Sequence, residues 1–239
     1  MGKSQGKRDP AEAGGSVIGP VIERLKAIGD RLPDDDGVAR FNDLYLAMTR
    51  AVEAEVGRQG FEDPRFLSHL DVVFAGRYFA AVDAADRGDP IPGAWAPLFE
   101  ARVRPRIAPI QFALAGTDAH INYDLCAALV QACSDLEVPP EDDSPQHRDY
   151  LKVNAILAKV EADVKKRFDT GLVGVADEAL GRLDDVLAMW SIDRARDAAW
   201  THAKVLWALR EDSTLEADYL STLARIVGLA ARGLLIQIL

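Results

Sequence analysis

Apolar positions recur at intervals of three and four along most of this chain, the spacing that keeps one face of an α-helix dry. Val38, Phe41, Tyr45, Met48, Val52 and Val56 form one such stripe, behind an acidic run, Asp34-Asp35-Asp36, whose charges suit a helix N-terminus. Asp63-Pro64 reads as cap and first helical residue before Phe66, Leu70, Val73, Phe74 and Ala81, and Ser144-Pro145 repeats that signal before Leu151, Ile156, Leu157 and Val160. A short helix around Trp95 to Arg102 lies between two proline-rich joints. All twelve prolines fall at or before Pro145, and the chain beyond reads as helix. One stripe there runs from Leu172 through Ala176, Ala179, Leu183, Val186 and Leu187 to Trp190. Another comprises Ile192, Ala195, Ala199, Ala203, Leu206 and Leu209. The last holds Leu215, Leu220, Leu223, Ile226, Val227 and Ala230, with Ser213 and Glu216 placed as a capping box. No segment alternates with period two between turn residues, so no strand is predicted. The expected fold is all-α, a single-domain bundle of about eight or nine helices. Val138 to Ser144 is the best candidate boundary, but its length is ordinary for a helix-to-helix connection. Residues 1–16 are polar and glycine-rich and read as a disordered tail, leaving 17–239 as the one domain.

One segment departs from the amphipathic pattern. From Ile107 to Ser134 there is no Lys, Arg or Glu, in a chain that is 28% charged. A helix lacking a charged face is expected to be buried on nearly all sides, so about 107–134 is predicted to be the central helix of the bundle. Yet it carries Gln111, Asp118, His120, Asn122, Tyr123 and Asp124. Burying a polar group without a partner costs on the order of 1–3 kcal/mol, so each must be satisfied or used. His120 and Asp124 are four apart and share a face. They read either as a structural hydrogen-bonded pair or as an acid/base with its orienting carboxylate, and Asn122, Tyr123 and Gln111 are candidate substrate contacts. The helix after Pro64 adds His69, Asp71 and Arg77. Arg77 shares the stripe of Phe66, Leu70 and Val73, so its guanidinium is expected to pair with Asp124 or Asp71, as a salt bridge or as a clamp for developing negative charge. Trp200 and His202, on the helix after Ser191, are further candidates, as core or as pocket wall. Arg102, Arg104 and Arg106 precede the uncharged run and read as a solvated loop or an anion site.

Composition narrows the function classes. Across 239 residues, 28 Lys and Arg face 38 Asp and Glu, a net charge of −10, which argues against nucleic acid and anionic membranes as partners. Cys126 and Cys133 lie seven apart on one helix, about 10.5 Å, too far to bridge, and behave as small hydrophobes rather than nucleophiles. A reducing, cytoplasmic setting follows. The N-terminus lacks the apolar core of a signal peptide, and Gly6 stands where a myristoylation signal needs Ser or Thr. Phosphate-loop, dinucleotide-fold, zinc-protease and nucleophile-elbow motifs are absent. With only four histidines, His69, His120, His147 and His202, neither metal nor other cofactor is expected. Asp34-Asp35-Asp36 reads as capping charge rather than an aspartate-rich metal motif.

The run from Ile107 through Gly116 to Ala119-His120-Ile121-Asn122-Tyr123-Asp124-Leu125 resembles an actinobacterial family of uncharacterised proteins, domain of unknown function 5995. Asp71 to Ala81 and Arg194 to Arg210 are similar to it as well. The resemblance covers the chain from about Gly37 onward and implies an all-helical, enzyme-like protein without assigned chemistry. It also implies Asn where this chain has Asp118. The expected function is an enzyme acting on a small, largely apolar substrate in a bundle pocket, by cyclisation, isomerisation, elimination or hydrolysis. In it His120 is acid or base, Asp124 its orienter and Arg77 the stabiliser. The rival is a non-catalytic small-molecule-binding or interaction protein with a structural polar core. A homodimer is the assembly left open.

Overall fold

The computed structural model describes residues 17–56, 60–171 and 191–237. Helix α1 spans Gly19–Arg31, α2 Gly37–Val56, α3 Pro64–Arg87, α4 Ala96–Ala101, α5 Pro109–Ala119, α6 Leu125–Asp135, α7 Pro145–Gly171, α8 Ile192–Leu209 and α9 Ser213–Leu234. A π-helical turn, His120–Asp124, joins α5 to α6. No strand occurs among the described residues. The expected tail at 1–16 and the predicted stripe from Leu172 to Trp190 lie outside the described residues. No described helix is long and apolar enough to cross a membrane.

Local chemistry accounts for most of the helix starts. Asp63 caps α3 by accepting a hydrogen bond from the Phe66 amide at 3.0 Å, and the Ser144 hydroxyl accepts from the His147 amide at the head of α7. Of the acidic run, Asp36 does the capping: one oxygen accepts from the Val38 amide, the other from Arg102. That bond also occupies one of the three arginines read as a solvated loop or an anion site, and Arg106 reaches Gln237. Two expectations need correction. Asp212, not Ser213, caps α9, because its carboxylate accepts from both the Thr214 and Leu215 amides. The stripe that α9 buries is Leu223, Ala224, Val227, Gly228 and Ala231, while Leu215 and Ile226 face outward. The cause is Gly228, which lets α9 approach the backbone at Gly93.

The run is helical without a break from Pro109 to Asp135, α5 passing into α6 through the π turn, since the residues at both junctions keep right-handed helical angles. At the turn the Leu125 amide bonds back to the His120 carbonyl, five residues away, so the backbone holds one residue more than an α-turn would. Helix α5 is flanked by α2 and α9, and α6 by α3 and α8. Small residues allow this enclosure: Ala113, Ala115, Ala119, Ala128 and Ala132 are completely buried. Gly116 lies under the Phe41 ring, where an added Cβ would fall 2.3 Å from the ring. One apolar cluster draws on every helix from α1 to α9, which makes the described chain one helical domain.

A Cβ at position 228 would sit 2.3 Å from the Gly93 carbonyl oxygen, and backbone cannot swing aside as a side-chain tip can. Gly228→Ala should cost about 1–3 kcal/mol by overpacking. Gly233→Ala, with nothing within 4 Å, should be neutral or slightly stabilising. Thermal melts followed by circular dichroism compare the two, and equal melting temperatures would contradict the close approach of α9.

Candidate functional site

His120 opens the π turn with its ring enclosed by aromatic side chains. Phe74 of α3 stacks on it, with centroids 3.6 Å apart and planes 6° from parallel. Tyr45 of α2 meets it edge-on at 4.5 Å, and Phe41, Trp95 and Tyr78 stand at 5.7, 5.9 and 6.2 Å. Inside this cage His120 Nδ1 lies 3.0 Å from Asp124 Oδ2, and the same oxygen accepts the indole N–H of Trp95 at 2.9 Å. Since that oxygen is already an acceptor, we assign the Nδ1 hydrogen to His120, which leaves the lone pair on Nε2. Burial, opposed by Asp124 and aided by the Arg77 charge, holds the imidazole pKa below its ordinary value, so the neutral ring prevails. His120 Nε2 itself is buried and makes no hydrogen bond.

His120 lines a cavity of about 90 Å³. Its walls come from α2, α3, α5 with the π turn, α6, α7 and α8, and are mostly apolar: Met48, Leu67, Leu70, Ile121, Val153 and Leu157 among them. Half-buried Val52, Ser68, Asp71 and Phe74 mark its more accessible side. Five buried polar side-chain atoms among the described residues lack a hydrogen bond, and three belong to this one lining: Tyr45 Oη, Asp71 Oδ2 and His120 Nε2. The Thr49 hydroxyl donates to the Tyr45 carbonyl oxygen, and its lone pairs remain free to accept from the Tyr45 phenol, whose ionisation it eases. Burial, reinforced by the Glu53 charge and opposed by Arg196, pushes the Asp71 carboxyl up to about 7. Tyr45 is likewise raised well above its ordinary value by burial, so it stays a neutral hydroxyl. Arg196 enters the wall with its guanidinium held by the Tyr150 carbonyl and Asn154, and stacked on the Tyr150 ring.

Of the residues singled out from sequence, the structure brings His120, Asp124 and Asp71 to this site, Asp124 from behind the imidazole. Arg77 does not line the cavity and makes no ion pair with Asp71 or Asp124 among the described residues; its Nε is buried without a partner, and it reaches His120 only through its field. Gln111 is spent on structure: it accepts from the Ala108 amide and donates to the carbonyls of Leu234 and Ile236, tying α5 to the end of α9. Asn122 donates to Asp118, whose carboxyl burial pushes up to about 6, and Tyr123 is half-buried away from the cavity lining. His69 bonds Asp135, His202 bonds the Tyr219 hydroxyl, and Trp200 donates to Asp142 while stacking on His147. Each sits outside the cavity because its α-helical face looks to a different neighbour. Cys126 and Cys133 are buried thiols pushed up to about 12 by burial. No three His, Cys, Asp or Glu side chains gather as metal ligands among the described residues.

The sequence reading missed Tyr45, Phe74, Trp95 and Arg196. Two carried a usable signal: Tyr45 places a hydroxyl on an otherwise apolar stripe, and Arg196 sits one turn from Ile192 and Ala199 on the buried face of α8.

A model of a family of unknown function, DUF5995, matches residues 18–237, and the chain belongs to that family. The curated proteins and the solved structures contain no match to it.

In the unfolded chain Asp71 ionises near 3.8, and in the folded protein at about 7. Between these values the folded state holds the extra proton, so stability falls as pH rises through this window and stays low above it. Asp71→Asn removes that loss. The variant should exceed the parent by roughly 2–4 kcal/mol at pH 8 and match it at pH 4. Urea melts at the two pH values check this, and a variant destabilised at pH 8 would show that the carboxylate has a partner after all.

Proposed function

We propose that the cavity beside His120 is the active site of an acid/base enzyme acting on a small, largely apolar molecule. The observation that carries this reading is that Tyr45 of α2, Asp71 of α3 and His120 of the π turn, each with a buried polar atom that meets no geometric hydrogen bond, line one mostly apolar cavity. His120 Nε2 is the base, Asp124 fixes its tautomer and orientation, and Asp71 is the acid on the same wall. In this reading Tyr45 Oη donates to an oxygen that gains negative charge, the role first expected of Arg77. Cyclisation, isomerisation, elimination and hydrolysis all need such a base and acid. The volume of about 90 Å³ limits the enclosed part to a few heavy atoms, well below the usual range of drug-sized sites.

The same small volume favours a second reading, a binding protein whose His120–Asp124 pair is structural. The two readings part on variants. For an enzyme, His120→Ala and Asp124→Asn abolish turnover while the protein stays folded. For a structural pair, both lose about 1–3 kcal/mol and no activity is found to lose. The assay is deuterium uptake from heavy water into small ketones, read by mass spectrometry, beside hydrolysis of small esters and lactones.

The active form has His120 neutral and Asp71 protonated. Activity should therefore rise as His120 loses its proton, below the ordinary 6.5, and fall as Asp71 loses its own at about 7. A kcat/KM profile still climbing at pH 9 would remove Asp71 from the role of acid.

A further inference from the structure

Helix α9 turns Leu223, Ala224, Val227, Gly228 and Ala231 to the core, and its opposite side carries Leu215, Asp218, Thr222, Arg225, Ile226 and Leu229. Leu215, Ile226 and Leu229 are 51, 62 and 73% exposed. Apolar residues scattered singly over a surface need no explanation, but three along the outward line of one helix do. The charges between them are not spent within the fold. Asp218 makes no ion pair among the described residues, and Arg225 donates to the Thr222 hydroxyl one turn back, at 3.2 Å.

This outward line is complementary to itself. Leu215 and Leu229 each stand seven residues, about two turns, from Thr222. Asp218 stands four before Thr222 and Arg225 three after, both on one flank of the line, while Ile226 and Tyr219 share the other flank. A second α9 laid antiparallel, with a two-fold axis beside Thr222, sets Leu215 against Leu229, Asp218 against Arg225 and Ile226 beside the Tyr219 ring, each of them twice. A parallel pair would instead hold like charges at the same height along the two helices.

We propose that the outward face of α9 is the interface of a homodimer, in which the α9 helices of two copies of this chain pack antiparallel about Thr222. One helix pair of about four turns covers less than the roughly 1,600 Å² of a standard interface, so the dimer is a reversible one. The cavity beside His120 takes none of its lining from α9, and the proposal stands whether or not that cavity is an active site.

Sedimentation velocity of the full chain, from about 1 to about 200 μM in about 0.15 M salt, should show the average mass climbing from one chain toward two. Leu229 has no part in the core, so Leu229→Glu should keep the thermal melt of the parent and stay monomeric throughout. Arg225→Asp should weaken association about tenfold or more, and adding Asp218→Arg should restore it, because the antiparallel register brings these two positions together. Thr222→Cys should give a disulfide-linked dimer on mild oxidation, since Cys126 and Cys133 are buried and do not compete. A parent chain that stays monomeric at the highest concentration overturns the proposal and leaves this face to an unlike partner. A dimer that survives Leu229→Glu overturns it too, by placing the interface elsewhere. Failure of both the charge swap and the Thr222→Cys link would overturn the antiparallel register.

Discussion

Asp124 Oδ2 takes a hydrogen bond from each of two buried rings, and the arrangement of the site follows from that one atom. The Trp95 indole is completely buried and can only donate, so without this acceptor its N–H would be stranded. Meeting it ties the joint before α4 to the π turn between α5 and α6. The second bond fixes the His120 imidazole with Nε2 turned away from Asp124. Phe74 stacked at 3.6 Å and Tyr45 edge-on at 4.5 Å leave the ring little freedom to turn elsewhere. The carboxylate thus fixes the tautomer and the orientation of the buried imidazole.

So much polarity within an uncharged run is tolerable because nearly all of it is met locally. Gln111 uses both ends of its amide, Thr117 bonds back to the Ala113 carbonyl, and Asn122 meets Asp118 one turn away. Small side chains along α5 and α6 let α2, α3, α8 and α9 close around them, so these polar groups cannot turn to bulk water for relief. The enclosure that makes the run costly also lowers its effective dielectric. In such a setting the histidine is held neutral and the neighbouring carboxyl keeps its proton far above its ordinary range.

The all-helical class, the starts of α3 and α7 and the pairing of His120 with Asp124 were legible because each rests on spacing within a few residues. What could not be read is what packing decides. The stripe on α9 is rotated from its periodic reading because Gly228 meets Gly93, a contact between residues far apart in the chain. Arg77 and Arg196 both interrupt apolar stripes, yet only Arg196 reaches the cavity, since that depends on which neighbour each helix face meets. Gln111 looked like a ligand contact because its partners, the carbonyls at the end of α9, lie more than a hundred residues downstream. Trp95 was visible only as part of a short helix, and nothing near it in sequence pointed to Asp124.

A structural role explains the paired half of this site but not the unpaired half. Trp95, Asp124 and His120 Nδ1 satisfy one another, and a buried pair of this kind is common in cores. Tyr45 Oη, Asp71 Oδ2 and His120 Nε2 do not, and each such group costs of the order of 1–3 kcal/mol against a total stability of about 5–15 kcal/mol for a domain. A phenylalanine at 45 would remove one of these groups outright, and an asparagine at 71 would remove the titrating charge. Nor are the unpaired atoms spread evenly: Arg77 Nε and Asp118 Oδ2 lie off the cavity, and the other three share it. Three helical elements, from separate parts of the chain, bring residues with unmet polar atoms to the lining of one mostly apolar cavity. Packing alone gives no reason for that gathering, and the proposed ligand would supply one.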